Sequence, residues 1–301
     1  MAKLSRRKKY GIIAIFAIVL LAVGRLYFST PVPHVELAPE RLWSVGAFPV
    51  TNTMISAWLT IVILGIIYYL GTRKMQMVPR GLQNVLEAIV EIGANFCDNV
   101  AGKEYGRKFF PVVATIFIFV IANAWLSLLP GFMSIGFWHG EGEEQVLVPL
   151  FRGANTDINV PLALALVSFV FVEYWGIRSH GFLRYVRKFV NVRRLFSGVG
   201  QVMRGRIRSG MGSIFNGIID AFVGLVEFVS EVVRIVSFTF RLFGNMTAGE
   251  LLIFSMMFLI PWVVVFPFYA LEVLIGFVQA LIFCGLTLVF LVIAVTPHEE
   301  H

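Results

Sequence analysis

One long apolar stretch of this chain contains an arginine, an asparagine and a glutamate. Arg241, Asn245 and Glu250 lie in the segment SFTFRLFGNMTAGE, which otherwise has the composition of a helix buried in lipid or in a protein core. A charge at membrane depth costs about 2.5–3.5 kcal/mol on insertion scales. An ionisable residue kept at such a cost is expected to be functional, so Arg241 is the first candidate.

Further polar residues share the face of Arg241 if this stretch is one α-helix. At about 100° per residue, Ser237 and Asn245 lie about 40° to either side of Arg241, and Arg234 lies about 20° away. Three acidic residues nearer the preceding basic segment fall within about 80° of the same direction. These are Asp220, Glu227 and Glu231. Such a face is expected to contact protein or water rather than lipid.

Glu250 points about 180° away from Arg241, so the two do not form a simple ion pair one turn apart. If a helical hairpin turns near Pro261, Glu250 and Glu272 lie at similar depth, because each is eleven residues from the turn. Two carboxylates close together in a low dielectric cannot both stay ionised comfortably, which suits a proton relay. Gln279 shares the face of Glu272 and lies nearly opposite Arg241 in that register.

Arg241 therefore lies between two groups of ionisable residues. A continuous polar path through a membrane would leak, and a fixed positive charge repels protons and cations. Two half-paths divided by an arginine need a mobile carrier with its own carboxylate. The residues alone thus favour ion translocation.

The whole chain of 301 residues has the composition of a polytopic membrane protein: 58% of its residues are hydrophobic and 14% are charged. Apolar runs of about 20 residues recur. They are continuous rather than alternating, which predicts helices and not a barrel. The net charge of +7 is concentrated beside these runs, which is typical of membrane topology and not of nucleic-acid binding. The histidines and the two cysteines show no spacing typical of a metal site or a disulfide framework, and no cofactor is expected.

Six membrane segments are predicted, with both chain ends in the cytoplasm. Residues 1–28 are expected to form a basic segment and an uncleaved membrane helix, with a signal peptide as the alternative. The connection over about 178–213 is strongly basic and is expected inside, as a grip for anionic lipid, a contact for an acidic partner or a solvated anchor. The acidic loop after the third segment, whose only base is Arg152, is expected outside. The remaining segments are predicted at about 53–72, 109–129, 158–177, 214–260 and 268–295, with an amphipathic helix at 80–105.

The motif RLFGNMTAGE at Arg241–Glu250 resembles subunit a of the F-type ATP synthase, the stator protein of its proton channel. The resemblance covers roughly residues 34–301. It places a single subunit a domain over residues 29–301, with a channel-forming helical hairpin at about 214–296. Supporting similarities are Glu227 fourteen residues before the arginine, Ser237, Gln279 within VQA, Asn123 followed by LPG, Asp157–Val160, and Pro79 with Gly102 and Lys103.

This resemblance implies an all-α integral membrane fold of about six helices, the last two long, tilted and packed against a ring of c subunits. It implies that Arg241 faces the ring carboxylate and prevents a short circuit between two half-channels. The outer half-channel would be lined by Asn245, Glu250, Glu272 and Gln279, and the inner one by Glu227 and Ser237, with Asp220 and Glu231 as further candidates.

The implied protein is not itself an enzyme but the ion-translocating subunit of an ATP synthase in a bacterial plasma membrane. The implied partners are the c-ring, b-type peripheral-stalk subunits and the remainder of the synthase. Three features depart from the family: Glu272 stands where histidine is frequent, the basic segment Arg184–Met211 is longer than usual, and the N-terminal basic helix is additional.

An ion-coupled secondary transporter is the alternative interpretation, because it too could hold an intramembrane arginine and paired glutamates. Transporters of that class often consist of two repeated halves with broken helices at the midplane, and no such repeat is found in this sequence. A membrane enzyme is disfavoured, since the sequence contains no nucleophile elbow, HExxH or phosphate loop.

Overall fold

Five helices carry the architecture in the computed structural model of the chain, which describes residues 38–139, 146–183, 185, 197, 203, 207–259 and 265–296. Two antiparallel hairpins lie before the first and third helices. The helices are α1 (Asn52–Thr72), α2 (Leu82–Ser127), α3 (Asn159–His180), α4 (Ile207–Leu259) and α5 (Val265–Val295). The strands are β1 (Arg41–Val45), β2 (Phe48–Thr51), β3 (Gly136–His139) and β4 (Val146–Pro149).

Four of these helices, α1, α2, α3 and α5, are long and apolar enough to cross a membrane. The chain is therefore a multi-pass membrane protein. The predicted number of six segments is not confirmed, because the described residues hold four such helices and the predicted first segment lies outside them. Helix α4 has 53 residues and would be about 80 Å long. It cannot stand upright along its whole length in a hydrocarbon core of about 30 Å.

The predicted amphipathic helix and the predicted third segment are the two halves of α2. They meet at Gly102, whose φ of 74° and ψ of 158° are non-helical. A positive φ is cheap only for glycine, which explains why the direction changes at this residue. Helix α4 begins inside the predicted basic connection, most of which lies outside the described residues. The predicted turn at Pro261 also lies outside them.

The two hairpins were not predicted, so the all-α description holds only as a coarse one. In the first, Val45 pairs with Phe48 across a turn that contains Gly46, whose φ is 65°. In the second, Phe137 pairs with Val148. Strands of four or five residues contain too few alternations of apolar and polar residues to be recognised in the sequence, especially beside apolar runs four times as long. The first hairpin leads directly into α1.

Two compact units can be distinguished. The first contains the described residues of Met1–Ile66, together with Phe119–Asp157 and Phe243–Ala280. The second contains Ile67–Ile118 and the described residues of Ile158–Leu242 and Leu281–His301.

In the first unit, α2 and α5 approach closely at a glycine. A Cβ added to Gly276 would lie 2.9 Å from that of Ala124. The neighbouring Trp125 donates its indole N–H to the carbonyl of Val273 at 3.2 Å. This contact sets α5 against α2 beside the cavity described below.

The second unit has a core built from α2, α3 and α5. Phe109 of α2 and Leu288 and Leu291 of α5 are fully buried there. The hydroxyls of Ser168 and Thr287 lie 2.8 Å apart and share a hydrogen bond between α3 and α5. A satisfied polar pair of this kind costs little in an apolar core.

Candidate functional site

The first unit contains a cavity of about 210 Å³, which is large enough for several water molecules. Its lining includes two carboxyl side chains, Glu250 from α4 and Glu272 from α5. The structure thus brings to one cavity the two glutamates that the hairpin register placed at similar depth. Neutral polar groups complete this part of the lining: Asn123 and Ser127 from α2, Ser134, Asn155 and Thr156 from the following loop, and Tyr269 from α5.

Glu250 is held by an arginine of the loop between α2 and α3. The Nε of Arg152 donates to Oε1 of Glu250 at 3.0 Å, and lies 3.4 Å from Oε2. The two side chains are only 6% and 12% exposed. Sequence reasoning noted Arg152 as the lone base of an acidic loop but gave it no role. Its position as a single arginine in an otherwise acidic loop was the feature of the sequence that could have indicated a role for it.

Arg152 is itself anchored from two further directions. Its Nη1 donates to the carbonyl oxygen of Ala38 at 3.2 Å, and its backbone N–H donates to Oγ of Ser56 on α1 at 3.1 Å. The guanidinium therefore contacts α4 and the segment before β1, while its backbone is tied to α1. Because these bonds come from separate elements, the side chain has little freedom to leave Glu250.

A polar stripe along α1 holds the same loop in place. The hydroxyl of Thr53 donates to Oδ2 of Asp157 at 2.8 Å, and the side-chain amide of Asn52 donates to the carbonyl of Pro149 at 3.3 Å. Two turns along, Thr60 donates to Oδ1 of Asn123 at 2.9 Å. These bonds connect α1 to the loop and to the lining of the cavity.

Glu272 is buried differently from Glu250. It is 5% exposed and has no ion pair with the described residues. Its carboxyl group abuts the backbone of Gly249, where an added Cβ would overlap it. Any larger residue at this position would require the Glu272 side chain to move. Of the other residues predicted for this path, Asn245 is exposed and Gln279 half-buried, and neither is in the lining of the cavity.

Arg241 lies in the second unit, in an open groove that α4 and α5 line mainly with apolar side chains. It is half-buried, and its Nη2 donates to Oγ of Ser237 at 3.4 Å. Its guanidinium carbon lies 5.9 Å from the centre of the Phe238 ring. Among the described residues no carboxylate lies within ion-pair distance of Arg241.

Arg234, two turns earlier in the same groove, does have an internal partner. Its Nη1 lies 2.8 Å from Oε2 of Glu231, and its guanidinium lies 3.7 Å from the ring centre of Phe290. Glu231 is thereby joined to the groove. The other acids predicted for the inner path, Asp220 and Glu227, are half-buried and are not in the groove lining.

The family model of the ATP synthase A chain matches residues 54–292. The chain belongs to this family. It is similar to ATP synthase subunit a of Gloeobacter violaceus, with 32% identity over 283 residues that cover 93% of this chain and 99% of that protein. It is also 30% identical to the subunit a of a Nitratiruptor species over 251 residues, covering 83% of this chain and 91% of the relative. The Helicobacter pylori subunit a is 32% identical over 244 residues, covering 81% and 89%.

These findings confirm the resemblance to subunit a of the F-type ATP synthase that the motif at Arg241–Glu250 indicates. The ATP synthase A chain match includes both the cavity and the groove. In this family member, Glu250 and Glu272 share the cavity, while Ser237 and Arg241 share the groove with Arg234.

Proposed function

We propose that this member of the ATP synthase A chain family is the proton-conducting stator subunit of a rotary F-type ATP synthase. Two aqueous half-channels lead from opposite sides of a bacterial plasma membrane to carboxylates on a ring of c subunits. The chain carries no catalytic site for ATP; it couples proton flow to ring rotation. Its partners are the c-ring, the b-type peripheral stalk and the remainder of the synthase. The relatives named ATP synthase subunit a support this function.

The absence of a carboxylate partner for Arg241 among the described residues is the observation that carries the proposal. Arg152 and Arg234 each have a glutamate within 3.0 Å, whereas Arg241 has only a hydroxyl at 3.4 Å among the described residues. A guanidinium in apolar surroundings requires a counter-charge. A carboxylate of the ring, presented to the open groove, would supply that charge.

The proposed proton path begins in the cavity lined by Glu250 and Glu272. The proton passes along Asn245 and Gln279 to a ring carboxylate, which then becomes neutral and can face lipid. After nearly a full turn, the carboxyl group reaches the inner path. The inner path consists of Ser237 and Glu227, with Asp220 and Glu231 as further members.

Arg241 separates the two paths in this scheme. It attracts each ring carboxylate that has lost its proton. It then releases that carboxylate as the ring rotates to the next position. A proton cannot pass directly from one half-channel to the other, because the fixed cation repels it. Both chain termini lie in the cytoplasm in this topology.

Replacing Arg241 with alanine tests the proposal. We expect ATP synthesis driven by an imposed proton gradient in membrane vesicles to fall at least about 100-fold, since loss of about 3 kcal/mol of coupling already has that effect. Arg234→Gln is the matched control, because Arg234 lies in the same groove but has an internal partner, and its effect should be much smaller. Normal synthesis by Arg241→Ala in the assembled complex would refute the function.

A further inference from the structure

We propose that Arg152 is a positioning residue of the outer half-channel. It fixes Glu250 as a permanently ionised carboxylate and thereby leaves Glu272 as the carboxyl group that takes up and releases the travelling proton. This inference rests on the proposed function. It gives the two glutamates of one cavity different roles: Glu250 is a fixed negative charge and Glu272 carries the proton.

The ion pair is both buried and anchored. Arg152 meets both carboxylate oxygens of Glu250, at 3.0 and 3.4 Å. The same guanidinium donates to the carbonyl oxygen of Ala38, and the backbone of Arg152 is bound to Ser56 of α1. An arginine exposed at a surface could swing away when its partner became neutral. Arg152 cannot, because its remaining bonds hold it at the same place.

Charge balance then determines the state of Glu250. An arginine side chain stays protonated in proteins. If Glu250 took up a proton, Arg152 would become a buried cation without a counter-charge, which is strongly unfavourable. Glu250 therefore remains ionised during turnover and acts as a fixed charge in the wall of the cavity.

Glu272 has no such constraint. The polar groups that line the cavity from α2 and from the following loop are neutral, namely Asn123, Ser127, Ser134, Asn155 and Thr156. Tyr269 lies on its own helix, and α4 contributes Glu250, whose charge Arg152 balances. Asp157 is bound to Thr53 outside the lining. Glu272 thus faces a cavity of nearly zero net charge, where it can exist with or without a proton.

A pH profile separates this role from a merely structural one. The initial rate of ATP synthesis by the assembled complex in vesicles is measured against the pH of the compartment from which protons enter. The midpoint reports how readily Glu272 accepts a proton. Four variants are compared with the unchanged protein: Arg152→Gln, Glu250→Gln, the double variant and Arg152→Lys.

The two single charge removals should shift the midpoint in opposite directions. Glu250→Gln leaves an uncompensated cation that disfavours the neutral form of Glu272, so the midpoint should fall by about one pH unit. Arg152→Gln leaves two carboxyl groups together, so the midpoint should rise by about one pH unit. The double variant restores charge balance and should return to within a few tenths of a unit, although its maximal rate falls. Arg152→Lys keeps the charge and should also stay near the original midpoint.

Shifts of both single variants in one direction, or no shift in either, would overturn the role of Arg152. Co-purification of the c-ring reports assembly of each variant. If Arg152→Gln fails to assemble but the double variant assembles with a normal midpoint, the inference is supported, because the fault is then the uncompensated Glu250. If neither assembles, Glu250→Gln decides alone: a fall in midpoint supports the inference and an unchanged midpoint rejects it.

Failure of this inference can be told apart from failure of the proposed function. If Arg241→Ala is inactive while the Arg152 series shows no shifts, only the role of Arg152 is rejected. If Arg241→Ala synthesises ATP normally, the proton-conducting function itself is rejected.

Discussion

The cavity of the first unit and the groove of the second can be compared through one arginine each, Arg152 beside the cavity and Arg241 in the groove. Arg152 is bound to Glu250, which lines the cavity, at 3.0 Å and to a backbone carbonyl at 3.2 Å. In the groove, Arg241 has only Ser237 at 3.4 Å among the described residues. An arginine that is paired internally is fixed in place. One that is not satisfied is available to a charge from another molecule.

The groove repeats the contrast within one helix. Arg234 is paired with Glu231 and stacked on Phe290, whereas Arg241 is not paired with any described acid. The helix can therefore supply an internal partner, as it does for Arg234. Arg234 and Arg241 are seven residues apart in the same groove, and only Arg234 is paired with a described acid. The lack of a described acidic partner is therefore specific to the position of Arg241 and is not a general property of the groove.

The largest effect is expected from giving Arg241 an internal partner. Ser237→Glu places a carboxylate one turn before the arginine, in the favourable order for an ion pair within a helix. Arg241 would then be neutralised, and gradient-driven ATP synthesis should fall about as far as in Arg241→Ala, at least about 100-fold.

Ser230→Glu is the matched control for this substitution. It adds the same charge in the same groove, one turn before Arg234, which already has Glu231. Its effect on synthesis should be at least about tenfold smaller, equivalent to about 1.4 kcal/mol. Equal losses in both variants would mean that any added charge in the groove is harmful, and the distinction between the two arginines would lose its support.

A smaller effect is expected from Gly249→Ala, which tests the close packing of the cavity. The added methyl group would overlap the carboxyl group of Glu272 and displace it. We expect proton pumping driven by ATP hydrolysis to fall about tenfold, corresponding to about 1.4 kcal/mol. Gly65→Ala on α1 is the control, because a Cβ there has no neighbour within 4 Å. Undiminished pumping by Gly249→Ala would show that the position of Glu272 against α4 is unimportant.

The smallest effect concerns the polar stripe of α1. Thr53→Val removes the donor to the buried carboxylate of Asp157 and should destabilise the first unit by about 1.5–3 kcal/mol. The thermal unfolding midpoint of the purified complex is measured, and it should be lower in this variant. Thr72→Val is the control, since that exposed hydroxyl donates to the carbonyl of Tyr68 in its own helix. An equal change in both would mean that the bond to Asp157 adds no stability.

Much of the candidate site was predictable from short-range patterns. The cost of a charge in an apolar helix drew attention to Arg241, and equal spacing from the turn brought Glu250 and Glu272 together. By contrast, the partner of Glu250 was not predictable, because Arg152 is 98 residues away and lies in a loop without periodicity. The short hairpins were missed for a related reason, since four residues are too few to establish a period.

By itself, the sequence determined the membrane class, the long final helices, the candidate arginine and the family. These follow from transfer energies and helical periodicity, which act on residues close together in the chain. Only the tertiary structure decided which charges are paired. It joins Arg152 of a loop to Glu250 of α4, while no described acid pairs with Arg241 or described cation with Glu272. This pair depends on a distance of 3.0 Å between separate elements, which exists only once the chain has folded, whereas Arg234 and Glu231 are three residues apart in one helix.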